Sequence, residues 1–78
     1  MRNIKILGSG CANCKRLEAM TRKVVGNLGI EAEFEKVTDM HEIMKWPILS
    51  TPGLVIDGKV VSSGRIPAES EIVDWLKE

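Results

Sequence analysis

Asp57-Gly58 separates two short runs of strand-forming residues, Leu54-Val55-Ile56 and Lys59-Val60-Val61. This single feature commits the last third of the chain to an antiparallel hairpin. An Asp-Gly dipeptide supplies the two positive φ angles of a type I′ turn, whose twist matches that of paired strands. A two-stranded hairpin does not stand alone in water, so the rest of the chain must cover and extend it. Downstream, Pro67 suits the first turn of a closing helix. Glu69 and Glu71 lie at that helix's positive end. Ile72, Val73, Trp75 and Leu76 form its apolar face.

The first half reads as a strand–helix–strand unit. Arg2 to Leu7 alternates loosely and stops at Gly8-Ser9-Gly10, a strand running into a tight loop. From Ala12 the period becomes helical. Leu17, Met20, Val24, Val25 and Leu28 fall on one stripe, while Lys15, Arg16, Glu18, Arg22 and Lys23 lie off it. Glu18 and Arg22 are spaced as an i,i+4 ion pair, and Gly29 suits the position just past the helix. Glu31 to Val37 alternates charged with apolar residues and predicts a second strand. Asp39 with Glu42 has the spacing of a capping box, opening a short helix over Met40, Ile43 and Met44. Pro47 disfavours helix at Trp46 and keeps that element short. The three methionines Met20, Met40 and Met44 read as core. The order is β-α-β-α-β-β-α, with a right-handed crossover in the first half. It predicts an α/β fold: one mixed four-stranded sheet flanked by three helices.

Seventy-eight residues are enough for one domain, spanning 1–78. A chain of this size buries only about 60% of the surface its unfolded form exposes, so the core is modest. Eleven basic residues balance eleven acidic ones, which gives no electrostatic pull toward nucleic acid or an anionic membrane. One Phe, no Tyr and two Trp form no platform for stacking bases. The apolar stretch at the N-terminus is too short and interrupted for a signal peptide, and no run approaches the roughly 18 apolar residues of a membrane span. A cytoplasmic, monomeric protein is expected.

Two cysteines, Cys11 and Cys14, are the whole thiol inventory. Closing so small a loop restrains the unfolded chain by only about 2 kcal/mol, a poor structural staple. In a reducing cytoplasm that placement points to chemistry or metal binding. Cys11 falls where the first strand yields to the helix. Unpaired backbone N–H groups and the positive end of the helix dipole there favour a thiolate. Cys14 lies nearly one turn further in, where its sulfur can meet that of Cys11. Cys11 can then attack a disulfide, and Cys14 can resolve the mixed disulfide that results. Two thiolates can also hold Cu(I), so a copper-handling module is the alternative. A closed zinc site would need further ligands, and His41 is the only other one of that kind. Lys15 and Arg16 read as the wet face of the helix, Trp46 as packing, and His41 carries no assigned role.

Copper-chaperone domains also open with strand, Cys-x-x-Cys loop and helix, but they end in a strand and usually carry Met where this chain has Ser9. A second resemblance covers nearly the whole length. Gly8-Ser9-Gly10-Cys11-Ala12-Asn13-Cys14, Thr51-Pro52-Gly53 before the hairpin, and Gly64-Arg65-Ile66-Pro67 before a terminal acidic helix are similar to the small thioredoxin-like redox-active disulfide proteins of archaea and bacteria. The resemblance implies a thioredoxin-like fold and a thiol–disulfide oxidoreductase that carries electrons in its two sulfurs, with no organic cofactor and no metal. It implies disulfide-containing protein substrates and an upstream reductase or small-thiol donor. It also implies a cis Thr51–Pro52 bond against the disulfide, with the exposed backbone of Thr51 pairing with an extended substrate. Gly64 would keep the neighbouring surface low, and Gly10, Ala12 and Asn13 would frame the substrate contact. The chain departs from the family in four places. Ala-Asn replaces Gly-Pro or Pro-Tyr between the cysteines, no Trp precedes Cys11, and Val61-Ser62-Ser63-Gly64 replaces the glutathione-holding stretch of glutaredoxins. Strand one also lacks the buried Asp that accepts a proton in thioredoxins, so a proton from Cys14 must use water or another group.

Overall fold

The computed structural model describes residues 1–8, 12–48 and 50–77. Its elements are β1 (Arg2–Leu7), α1 (Ala12–Leu28), β2 (Ala32–Val37), α2 (Met40–Ile43), β3 (Gly53–Ile56), β4 (Lys59–Ser63) and α3 (Glu69–Lys77). The sheet has the order β2-β1-β3-β4. β2 runs parallel to β1, while β3 is antiparallel to both β1 and β4. This is the α/β architecture that the order of elements predicts, and it agrees with the thioredoxin-like fold that the resemblance implies.

Local chemistry accounts for where the elements begin and end. Gly29, at φ 66°, lets α1 close with Gly29 N–H on the Gly26 carbonyl and Ile30 N–H on the Val25 carbonyl, the bond pair of a Schellman end. Asp57 and Gly58 have φ of 50° and 82°, as a type I′ turn requires. The turn is also anchored to β1, because Asp57 Oδ1 accepts from Asn3 N–H at 2.8 Å and Asp57 N–H donates to the Asn3 carbonyl at 2.7 Å. The hairpin register slips between Leu54 and Val55, so β4 carries a bulge that the dipeptide alone did not signal.

Strand alternation sorts the core into two faces. Ile4, Ile6, Leu54 and Ile56 point to one side, where they pack with Leu17, Val24 and Val25 of α1 and Ile72 and Leu76 of α3. Leu7, Val37 and Val55 point to the other and pack with Ile43, with Trp46, Ile48 and Val60 against them. Trp46 is therefore packing, as the sequence suggests.

Four expectations need correction. Met40 and Met44 are 57% and 74% exposed, because the single turn of α2 has room to bury one residue and Ile43 takes it. The capping box at Asp39 forms by half: Asp39 accepts from His41 N–H at 2.8 Å, while Glu42 turns to Lys45. Pro67 stands two residues ahead of α3 and is buried there, so it sets the approach and not the first turn. Glu71 performs the capping instead, its carboxylate accepting from Ala68 N–H at 3.1 Å. The second strand starts at Ala32, one residue later than the alternation indicates.

Candidate active site

β1 delivers the chain to Gly8, and α1 begins at Ala12. Cys11 and Gly10 lie outside the described residues. Ala12 and Asn13 form the exposed start of α1, and Cys14 follows them at 5% exposure. Cys14 is disulfide-bonded.

The sulfur of Cys14 lies directly against Gly8: a Cβ at that position would collide with Cys14 Sγ and come within 3.4 Å of its Cβ. Thr51 closes in from β3's approach, its Cβ 3.8 Å from the same point. Thr51 itself is exposed, and Pro52 behind it is buried. The Thr51–Pro52 peptide bond is cis. Gly64, at φ 72°, brings the loop after β4 alongside, donating its N–H to the Pro52 carbonyl at 2.9 Å. A side chain at Gly64 would run into Ser50 Oγ. Three segments far apart in sequence thus meet at one edge: the end of β1 with the start of α1, the Ser50–Gly53 approach to β3, and the loop after β4.

Beneath Cys14 is a cavity of about 60 Å³ that sequence reasoning missed, lined by Ile6, Gly8, Cys14, Lys15, Glu18, Lys36 and Thr38. Glu18 sits one helical turn after Cys14, and its side chain is 16% exposed. Its carboxylate takes Arg22 at 3.0 Å and Lys36, from β2, at 3.2 Å. Burial pushes the Glu18 pKa up, but the hydrogen bonds and charges of Arg22 and Lys36 outweigh it and hold the group below its usual value. A charged group therefore borders the buried sulfur although β1 carries no Asp. The i,i+4 spacing of Glu18 from Cys14 is the signal that could have found it. Lys5, the charged residue inside β1, points to the opposite face and pairs with Glu35 at 3.1 Å.

Lys15 and Arg16 are exposed on α1, as their place off the apolar stripe implies. Among the described residues no three His, Cys, Asp or Glu side chains stand close enough to hold a metal ion together. No helix among them is long and apolar enough to cross a membrane.

The sequence model of the thioredoxin domain family matches residues 2–77. A curated thioredoxin of Methanothermobacter thermautotrophicus is 44% identical over 72 residues, covering 92% of this chain and 94% of that protein. A curated thioredoxin of Methanocaldococcus jannaschii is 43% identical over 74 residues, covering 95% of this chain and 85% of that one.

Proposed function

This chain belongs to the thioredoxin family of thiol–disulfide oxidoreductases, and from that membership we propose that it reduces protein disulfides through Cys11 and Cys14. The Cys11 thiolate attacks one sulfur of the substrate disulfide. That S–S bond breaks, its other sulfur leaves as a thiolate and takes up a proton, and Cys11 is left in a mixed disulfide. Cys14 gives up its proton and attacks the Cys11 sulfur, releasing the second substrate thiol. The substrate has then gained two electrons and two protons, and the Cys11–Cys14 disulfide holds the oxidation. An upstream dithiol reductase or a small thiol returns the two electrons, so no organic cofactor is needed.

The observation that carries this reading is the placement of Cys14: a disulfide-bonded cysteine in the first turn of a long helix, packed on Gly8 and beside an exposed Thr51. Thr51 precedes a proline and offers its backbone to an extended substrate, with Gly64 keeping the neighbouring loop low. Gly10, Ala12 and Asn13 are assigned to the substrate contact by the same family reading. The Glu18–Lys36 pair borders the same cavity as Cys14 and offers a polar path for the proton that Cys14 gives up. The protein acts as a single cytoplasmic domain and as a monomer.

Trapping tests the assignment of roles. Cys14→Ser is expected to accumulate a mixed disulfide with a reducible protein substrate, and Cys11→Ser is not. An equilibrium titration of the unaltered protein should show one two-electron transition at roughly −180 to −290 mV. Trapping in Cys11→Ser instead would reverse the roles, and the absence of any reversible disulfide would end the reading.

A further inference from the structure

The two rims of the sheet are built differently. β4 carries a bulge, a device that spoils an edge for further pairing. β2 pairs with β1 along its whole length, Ala32–Val37, without a register shift, and among the described residues β1 is its one partner strand. Arg2 N–H donates to the Glu31 carbonyl and Gly8 N–H to the Val37 carbonyl, so the odd-numbered residues turn their backbone groups toward β1. By strand alternation Ala32, Phe34 and Lys36 turn theirs to the outer side, as a regular row of donors and acceptors. We propose that this outer edge takes up an extended basic segment of a partner protein as a fifth, antiparallel strand, with Lys or Arg at every second position. The inference stands apart from the dithiol chemistry.

The side chains choose the occupant. Glu33 and Glu35 share a face of β2 with Val37, which packs on Ile43 of α2, and Glu31 continues the alternation just ahead of the strand. All three glutamates are exposed. Lys5 and Lys45 each match one carboxylate here, Glu35 at 3.1 Å and Glu42 at 3.2 Å. Glu31 and Glu33 have no ion-pair partner among the described residues and are left as excess negative charge. A second copy of the chain is rejected. When β2 pairs antiparallel with itself, residues of one face oppose one another, so Glu33 meets Glu33 or Glu35 of the other copy in the central registers. Like charges directly opposite destabilise a sheet. Edge charges keep copies apart in this way, and the same row attracts a strand of opposite sign. An added strand makes its hydrogen-bonded pair opposite Phe34. Its flanking residues then stand opposite Glu33 and Glu35 at non-hydrogen-bonded positions, where cross-strand side chains lie closest. Basic residues two apart, about 7 Å along one face, therefore meet one carboxylate each. The row ends beside Val37 at a cleft of about 150 Å³ walled by Lys5, Glu35, Val37, Glu42 and Trp46. A further cation reaching it finds an indole and the Glu42 carboxylate, a setting that suits arginine.

Three acetylated octapeptides separate strand addition from plain charge attraction. One alternates Lys with Val and Thr, the second is an isomer of it with the lysines consecutive, and the third carries Glu in place of each Lys. Each would be titrated at low salt into the ¹⁵N-labelled protein. The alternating Lys peptide is expected to bind about fivefold tighter than its isomer, since only it sets a cation opposite each carboxylate. It should shift the amide signals of Ala32, Phe34 and Lys36 and slow their exchange with deuterated water, leaving those of β4 unmoved. Glu33→Lys should abolish the preference and favour the Glu peptide, and the milder Glu33→Gln should reduce it. Glu33 is exposed, so the fold tolerates both changes, and an unaltered thermal midpoint would verify this. Equal affinity for the two lysine isomers, a preference unchanged in the Glu33 variants, or shifts confined to other strands would overturn the proposal. Protection of the same amides on concentrating the protein alone would put a second copy at this edge and overturn it equally. Because the peptides carry no sulfur, the result stands or falls independently of trapping at Cys11 and Cys14.

Discussion

At Gly8 the absence of a side chain is what admits the sulfur of Cys14. The sequence shows Gly8 as the start of a tight loop, which is correct but incomplete. Its second role appears only when α1 folds back on the end of β1, a contact between elements that no local pattern encodes. Gly8→Ala is expected to destabilise the oxidised protein by about 1–3 kcal/mol, the usual cost of forcing extra volume into a filled site, as read from urea unfolding. An unchanged midpoint would mean that the sulfur has room to move. Glu18 was legible by half. Its spacing to Arg22 gave the ion pair, observed at 3.0 Å. Its second partner, Lys36, is 18 positions away in the chain, and only the parallel pairing of β2 with β1 brings that strand under the helix.

Among the elements, those defined by strong local chemistry were readable and those closed by distant partners were not. The Asp57-Gly58 turn and the Gly29 helix end are written in two or three residues each. The start of α3 was misread because proline's fixed φ suits both the first helical turn and the approach to it. The choice was made by Glu71 reaching back to Ala68. The Glu71 carboxyl is held at about 2, against an ordinary 4.5, first by the Arg65 hydrogen bonds and then by the Ala68 N–H. A carboxyl whose pKa is lower in the folded state stabilises fully above its unfolded pKa. That contribution is lost as the pH falls from about 4.5 toward 2. Glu71→Gln should therefore lose less thermal stability than the unaltered protein between pH 5 and pH 2.5. Because the pair is exposed, added salt should shrink the difference. A parallel decline in both proteins would show that the pair contributes nothing to stability.

In the whole molecule, a short chain covers both faces of a four-stranded sheet with few large side chains to spare. Ile72 is fully buried where α3 meets α1 and the sheet. Ile72→Ala is expected to cost about 2–5 kcal/mol, a large share of the roughly 5–15 kcal/mol by which small domains are stable. Denaturant unfolding followed by Trp fluorescence and by circular dichroism would measure it, and a loss below about 1 kcal/mol would mean that the site closes over the gap. The strand order β2-β1-β3-β4 has one more consequence. Among the described residues, β1 and β3 are each paired on both sides, whereas β2 and β4 are each paired on one side. Local opening begins at such edges, so the amide hydrogens of β1 and β3 should exchange with deuterated water only through global unfolding, while those of β2 and β4 exchange earlier. Cys14, packed on Gly8 at the end of β1, is thus seated on a strand whose clock runs slow, and fraying at the rim leaves that seat undisturbed.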